Sequence, residues 1–560
     1  MKCTQTLHPS DIFKQFIREN PGIFVIYLLF LVLVPLTDIG IPHMVGRLIQ
    51  TVKTTQTALQ KRTALYVNFA IIVGLIALGQ VGHVLSDTVD VQMLPRMVQL
   101  VRNLIVNHVF DTQSKNYTEL RTGELTTKLI KLPVVYYSFV EQWKNNWLPE
   151  LVILFSGIVY LLFKQFRVGL ILLVVTLVIL YYSYQTVFHC ESISQARDKA
   201  YNATIEEVED ILRNSMSVIN ANQQANELER INTFHEGYAT NSKKTFTCSL
   251  RPRFIYLPVI IALFMVYMLY SYYQIRQNEI QIASFVVVLL IVVQVITSLF
   301  KLLGNVKDTV LKWGSMQHSM KVFEECKNEA LESFRSSPPT EGIFIDRLSY
   351  HYETEDGIRP VFKDYSLYIP ANQCTVIEGK IGSGKSTLLK LLNKYYAPTS
   401  GQIYINGISY DLLSTTELHR ILGYVPQTPS LFNRSIYENI VYGVESPPSK
   451  AEVEDWLRRF NIYELVNELP KGLDTSAGKN GGNISGGQRQ IVWFLRVLLH
   501  NTPYILLDEP TSAMDNRTKA YVYRLIEKIK DQKTVILVSH DDRVRRYADH
   551  RVVVESVEKM

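Results

Sequence analysis

The chain has 560 residues, Lys+Arg 58 against Asp+Glu 52, a net charge of +6, 47% hydrophobic residues and a mean hydropathy just above zero. That length suggests roughly two to four domains and excludes one small binding module. Low charge and rich aromatics exclude disorder, and the small, dispersed positive charge argues against nucleic acid as a partner.

Residues 1–20 lack the apolar core of a signal peptide. Instead Ile12, Phe13, Phe16 and Ile17 recur at helical spacing opposite Lys14 and Arg18, which predicts a short amphipathic helix at a membrane interface. Apolar stretches follow at 22–46, 66–91, 146–163, 167–188, 254–274 and 281–303. Each suits a hydrocarbon core of roughly 30 Å, which takes about 20 residues to cross. The third is short alone and needs the helix before it. The fold class expected here is therefore an α-helical membrane domain of six spans. Lys and Arg of the N-terminus and of the loops 92–145 and 189–253 outnumber those of the opposite loops, placing both termini on the cytosolic side. Those two inner loops keep helical patterning and should extend the spans into the cytosol.

Polar residues interrupt the spans. Gln80, His83, Asp87 and Asp90 stripe the second, Asp38 sits between Pro35 and Pro42 in the first, and Gln294, Thr297, Ser298 and Lys301 stripe the sixth. Burying such groups in lipid costs on the order of 3 kcal/mol each, so Asp38, His83, Gln294 and Thr297 are candidates for lining a substrate cavity. The alternative is that Asp87 and Asp90 merely mark the cytosolic edge of a long helix. Cys3, Cys190, Cys248, Cys326 and Cys374 show no CxxC or metal-like spacing and fall on cytosolic segments, so neither a disulfide nor a zinc site is expected.

The polar, Pro/Ser-rich segment 324–342 reads as a linker between a membrane domain at 1–323 and a soluble domain at 343–560, where short β-rich runs alternate with helical patterns. Gly379-Lys-Ile-Gly382-Ser383-Gly384-Lys385-Ser386-Thr387 matches the phosphate-binding loop GxxxxGK[ST], between a strand-like 374–378 and a helix at 386–393. Its backbone N–H groups would curl round phosphate, Lys385 would meet the β/γ-phosphates, and the Ser386 hydroxyl would bind Mg²⁺. Further on, Tyr504-Ile-Leu-Leu-Asp508-Glu509 reads as a buried strand ending in two acids. Asp508 suits Mg²⁺, and Glu509 suits a general base for the attacking water.

Ile484-Ser485-Gly486-Gly487-Gln488 resembles the LSGGQ signature of the ATP-binding-cassette (ABC) proteins. Tyr352 resembles the family's adenine-stacking aromatic, Gln427 its Q-loop glutamine, Asp515 its D-loop aspartate and His540 its switch histidine. With six spans ahead of an α/β P-loop cassette, the chain resembles a half-transporter of the ABC exporter type, similar to lipid flippases and multidrug or peptide exporters. Thr122-Gly-Glu-Leu125 resembles the turn after that family's first coupling helix, and segments near 113–122 and 211–220 would be the coupling helices. The resemblance implies ATP and Mg²⁺ as cofactors and a second copy or a homologous half as partner. Each ATP would lie between one chain's phosphate loop and the other's Ser485–Gln488, and Gln427 would meet Mg²⁺ or the lytic water. Three departures stand out. Ile484 replaces the signature's Leu, a near-isosteric apolar change that should be tolerated. Lys479 occupies a place where the family usually carries an acid, and the run after the signature, QRQIVWFLRVLL, is bulkier than usual. Other readings open at this point are one half of a heterodimer, an ATP-gated channel, and a soluble cassette ATPase acting on DNA.

Overall fold

The computed structural model describes residues 3–5, 7–53, 58–115, 122–277, 280–326, 341–354, 357–512, 514–539, 541 and 543–555. His540, the segment 116–121 and most of the linker lie outside them, as do the side chains of Thr122–Leu125. The chain divides into two compact units, carried chiefly by residues 1–327 and 328–560.

The first unit is helical: α1 (Pro9–Glu19), α2 (Pro21–Lys53), α3 (Ala58–Lys115), α4 (Thr122–Gln142), α5 (Leu148–Lys164), α6 (Phe166–His189), α7 (Glu191–Arg213), α8 (Ser215–Asn220), α9 (Gln224–Arg276) and α10 (Ile282–Met320). A short antiparallel pair joins β1 (Cys3–Gln5) to β2 (Glu324–Cys326). Among the described residues, five helical stretches are long and apolar enough to cross a membrane. A shorter apolar piece, Pro21–Leu31, opens α2, whose 33 residues are also sufficient in length. A π-helical turn at Trp143–Trp147 joins α4 to α5, so the short third span is completed by the helix before it. The 53-residue α9 far exceeds a bilayer crossing, as the helical patterning of the inner loops requires.

Close packing of α5 on α10 depends on Gly157, where a Cβ would stand 2.7 Å from Val295 Cγ2. Small residues let membrane helices approach in this way. Just ahead of α5, Trp147 Nε1 donates to Thr309 Oγ1 of α10 at 2.9 Å.

Two expectations need correction. Helix α1 forms, but Ile12 and Phe16 are fully buried against protein, beside Val89, Met93, Met97 and Tyr136, and do not face lipid. The Tyr136 hydroxyl donates to Pro9 O at 2.7 Å. Helical periodicity identifies an apolar face without saying what covers it. The second correction concerns Cys190 and Cys248, which form a disulfide with Cα atoms 6.0 Å apart. The packing of α7 on α9 brings together two cysteines 58 residues apart, which no local spacing reveals. Closing such a loop contributes about 4 kcal/mol on chain-entropy grounds. Non-reducing digestion should release the two cysteine peptides joined. Two separately alkylated peptides would contradict the pairing.

The second unit holds two sheets. An antiparallel sheet has the order β4-β3-β6-β7, with β3 (Ile343–Thr354), β4 (Gly357–Ile369), β6 (Ser400–Ile405) and β7 (Ile408–Ser409). A parallel sheet has the order β11-β5-β10-β9-β8, with β5 (Cys374–Glu378), β8 (Leu422–Val425), β9 (Tyr504–Asp508), β10 (Thr534–Val538) and β11 (His550–Val553). Its strands read as nearly continuous apolar runs because both faces are covered. Ile505 and Leu507 enter one core with α16 (Gly486–Leu499) and α17 (Asn516–Ile529), while Tyr504 and Leu506 enter another with α11 (Lys385–Leu392). The short helices α12 (Thr415–Ile421), α13 (Ile436–Ile440), α14 (Lys450–Arg459) and α15 (Tyr463–Asn467) complete the unit. In register, Val538 stands beside both Ile377 and Asp508, and Val425 beside Leu507. The carboxyl ends of β5, β8, β9 and β10 therefore meet at one edge, the usual place for a ligand in an open α/β sheet.

Candidate nucleotide site

The loop after β5 turns directly into α11. Gly384 caps that helix at φ +97°, and a Cβ there would approach Val361 Cγ1 to 2.6 Å. Only glycine combines that conformation with that clearance. The first N–H groups of α11 and the helix dipole make this end suited to an anion. Lys385, 5% exposed, donates to Gly379 O at 3.0 Å and Lys380 O at 2.9 Å, which holds its ammonium within the loop. Burial pulls its pKa below the ordinary lysine value, and the charges of Glu509 and Asp508 oppose that pull.

Ser386 Oγ donates to Asp508 Oδ1 at 2.9 Å. Burial raises the Asp508 pKa, partly offset by hydrogen bonds from Ser386 and Tyr424. A hydroxyl and a carboxylate side by side form a hard oxygen donor set, which fits Mg²⁺. Glu509 follows at φ +45°, a conformation rare for a residue with a side chain, and its N–H donates to Val538 O at 2.9 Å. Strain of this kind at a strand end is a recurrent mark of a functional position. Gln427 Nε2 donates to Glu509 Oε2 at 2.8 Å, so Gln427 and the candidate base meet from β8 and β9. The Tyr352 hydroxyl hydrogen-bonds Thr387 Oγ1 at 2.9 Å, and its ring meets those of Tyr350 and Tyr396. An aromatic cluster thus borders the loop.

Fold and register place Tyr352, Gly379–Thr387, Gln427, Asp508 and Glu509 together. Ser485 and Gln488 stand elsewhere. They form a capping box at the start of α16, with Gln488 N–H donating to Ser485 Oγ at 3.2 Å and Ser485 N–H donating to Gln488 Oε1 at 2.9 Å. Asp515 caps α17 through Thr518 N–H at 2.7 Å. Lys479 is exposed ahead of the signature.

The bulky run after the signature now has a structural account. On α16, Gln490 Nε2 donates to Pro426 O at 2.9 Å and Trp493 Nε1 to Tyr424 O at 3.0 Å. Tyr424 in turn donates from its hydroxyl to Asp508 Oδ2 at 3.2 Å. Large polar-tipped side chains therefore clamp the segment that presents Gln427. The spacing of three between Gln490 and Trp493 was the available signal, since it puts both on one helix face. Trp493→Phe should leave the Tyr424 carbonyl without this donor and cost about 1–2 kcal/mol of stability. Thermal unfolding of the purified chain checks this, and an unchanged midpoint would contradict it.

In the helical unit, Asp38 and Gln294 are partly buried while His83 and Thr297 are exposed. The Thr297 hydroxyl is satisfied by Val293 O at 2.8 Å on its own helix. The His83 ring packs edge-on against Phe30, 5.7 Å between centroids.

Comparison with known proteins agrees with this architecture. A family model described as ABC transporter matches residues 362–512, and one described as ABC transporter transmembrane region matches residues 24–299. A protein of Rickettsia typhi named as an export ATP-binding/permease protein is 24% identical over 468 residues, covering 82% of this chain and 80% of that protein. An ATP-dependent lipid A-core flippase of Francisella novicida is 36% identical over 213 residues, but these span only 38% of this chain and 35% of the flippase. A solved structure of a bacterial Atm1-family ABC exporter with ATP bound aligns with a TM-score of 0.80 at 21% identity, covering 96% of this chain and 95% of that one. That likeness speaks for the fold.

Proposed function

Because the chain belongs to the ABC transporter family and is an exporter-type ATPase coupled to transport, we propose that two copies work together by alternating access. In this reading residues 1–323 form the membrane domain, 324–342 the linker and 343–560 the cassette, which lies with both termini on the cytosolic side. Tyr352 stacks on adenine. The backbone of Gly379–Thr387 wraps the phosphates, and Lys385 meets the β/γ-phosphates. Ser386, Gln427 and Asp508 would hold Mg²⁺, which when bound offsets the phosphate charge. Glu509 orients the attacking water and accepts its proton, and His540 reaches the γ-phosphate. Ser485, Gly486, Gly487 and Gln488 of the second copy close over the nucleotide, and Asp515 passes the closure between sites. Closure swings the membrane domains outward, and hydrolysis resets them.

The observation that best supports this reading is the meeting of Lys385, Ser386, Gln427, Asp508 and Glu509 at one sheet edge. Ser485 and Gln488 meanwhile cap the first turn of α16, and the N-terminus of that helix suits a nucleotide phosphate carried by another chain. The test is Mg²⁺-dependent ATP hydrolysis by the purified chain alone in lipid bilayers. Steady hydrolysis supports a self-sufficient pair. ATP binding without hydrolysis would point to a missing homologous half or to an ATP-gated role.

A further inference from the structure

The loop after β10 is built as two turns in succession. Ser539 Oγ accepts from Asp541 N–H at 3.0 Å, and Asp541 Oδ1 accepts from Arg543 N–H at 3.0 Å and from Arg543 Nε at 3.3 Å. Side chains that bond the backbone two residues on fix such turns locally. The other carboxylate oxygen, Asp541 Oδ2, turns to α17. It accepts from the Tyr523 hydroxyl at 2.6 Å and from Lys519 Nζ at 3.1 Å. Arg543 Nη2 adds a third point by donating to Asn516 Oδ1 at 3.1 Å. Asn516, Lys519 and Tyr523 stand at i, i+3 and i+7, so a single face of α17 grips the loop.

The clasp is more than a surface ion pair. The Asp541 and Lys519 side chains are 14% and 21% exposed, and both oxygens of Asp541 are engaged. Burial pushes the Asp541 pKa up, but the hydrogen bonds from Tyr523, Arg543 and Lys519 outweigh it and hold the carboxyl well below the usual carboxylate range. The group is therefore ionised near neutral pH, and its bonds are charge-assisted, roughly twice as strong as neutral ones.

In the chain, Ser539 precedes His540 and Asp541 follows it. Just before α17 stands Asp515, which caps that helix through Thr518 N–H. Glu509 and Ser512 line the same polar cavity as Lys519, Ser539 and Asp541. One helix thus joins Asp515, at its start, to the residues that grip the segment around His540.

We propose that Asp541 is a positioning residue for hydrolysis. Through Lys519 and Tyr523 it locks the segment bearing His540 to α17, so that movement of Asp515 on contact with the second copy and placement of His540 at the γ-phosphate occur together. This deepens, and rests on, the roles read above for His540 and Asp515. Asp541 acts through its neighbour and takes no part in the proton transfer assigned to Glu509.

The test is a kinetic comparison on the full chain in lipid bilayers, with ATP affinity measured on the same preparations by nucleotide titration. Asp541→Asn keeps the size of the side chain but offers Lys519 and Tyr523 an amide in place of a carboxylate. It should lower kcat about 10- to 100-fold, the effect of a small misplacement in an active site, while ATP affinity stays at the wild-type value. Lys519→Met should act in the same direction, and Lys519→Arg should recover most of the rate. The double variant Asp541→Asn/Lys519→Met should be no slower than Asp541→Asn alone. A tie that serves stability alone predicts otherwise, with rate and ATP affinity falling together as the unfolding temperature drops. Wild-type kcat in Asp541→Asn, a rate that falls only in step with ATP affinity, or additive effects in the double variant would each overturn the assignment. His540→Ala separates this proposal from the reading beneath it. If His540→Ala is inactive while Asp541→Asn keeps the wild-type rate, the positioning role alone fails. If the wild type does not hydrolyse ATP, or His540→Ala does so at the wild-type rate, the underlying reading fails and the proposal with it.

Discussion

Glu509→Gln is expected to bind ATP but hydrolyse it about 100- to 10,000-fold more slowly than the wild type. The substitution keeps the shape of the side chain and removes the proton acceptor. It should leave the backbone in place, because the strained φ of +45° is held by the bond from its N–H to Val538 O. The site's other groups stay put as well, since Ser386 remains tied to Asp508. Phosphate release and nucleotide binding, measured on one preparation in bilayers, decide the matter. Hydrolysis within a few-fold of wild type would mean that another group takes the proton.

Lys385→Ala should weaken ATP binding by about 3 kcal/mol, which is roughly 100-fold in Kd. Lys385 is the buried lysine of the loop, and its ammonium answers two carbonyls, Gly379 O and Lys380 O, as well as the field of Asp508 and Glu509. Removing it leaves those oxygens facing the phosphates without a counter-charge. Affinity is read by nucleotide titration, with the nucleotide-free unfolding temperature as a check on folding. Unchanged affinity would show that the helix dipole and backbone N–H groups suffice.

These two residues were legible in the sequence because their chemistry is local. Eight consecutive positions from Gly379 to Ser386 carry the loop, and an apolar strand delivers Asp508 and Glu509 to its end. The membrane helices were legible for a similar reason, since length and hydropathy act within one segment. What stayed hidden depends on tertiary neighbours. Trp493 reaches Tyr424, and Lys301 reaches Glu150, across long stretches of chain. Cys190 meets Cys248 only because α7 packs on α9. Helical spacing shows the apolar stripe of α1, but whether lipid or protein covers it is decided by α3 and α4, whose Met93, Met97 and Tyr136 do so. Helical spacing sets Asp90 on one stripe with His83, but only the fold brings Lys144 beside it.

The two-copy reading requires that the nucleotide site become complete only when a second copy supplies Ser485–Gln488. Its most direct test is the native mass of the Glu509→Gln chain in nanodiscs with ATP and Mg²⁺. A particle holding two chains and two retained nucleotides is the expected result. A single chain retaining one ATP would contradict the account, because one copy would then close its own site.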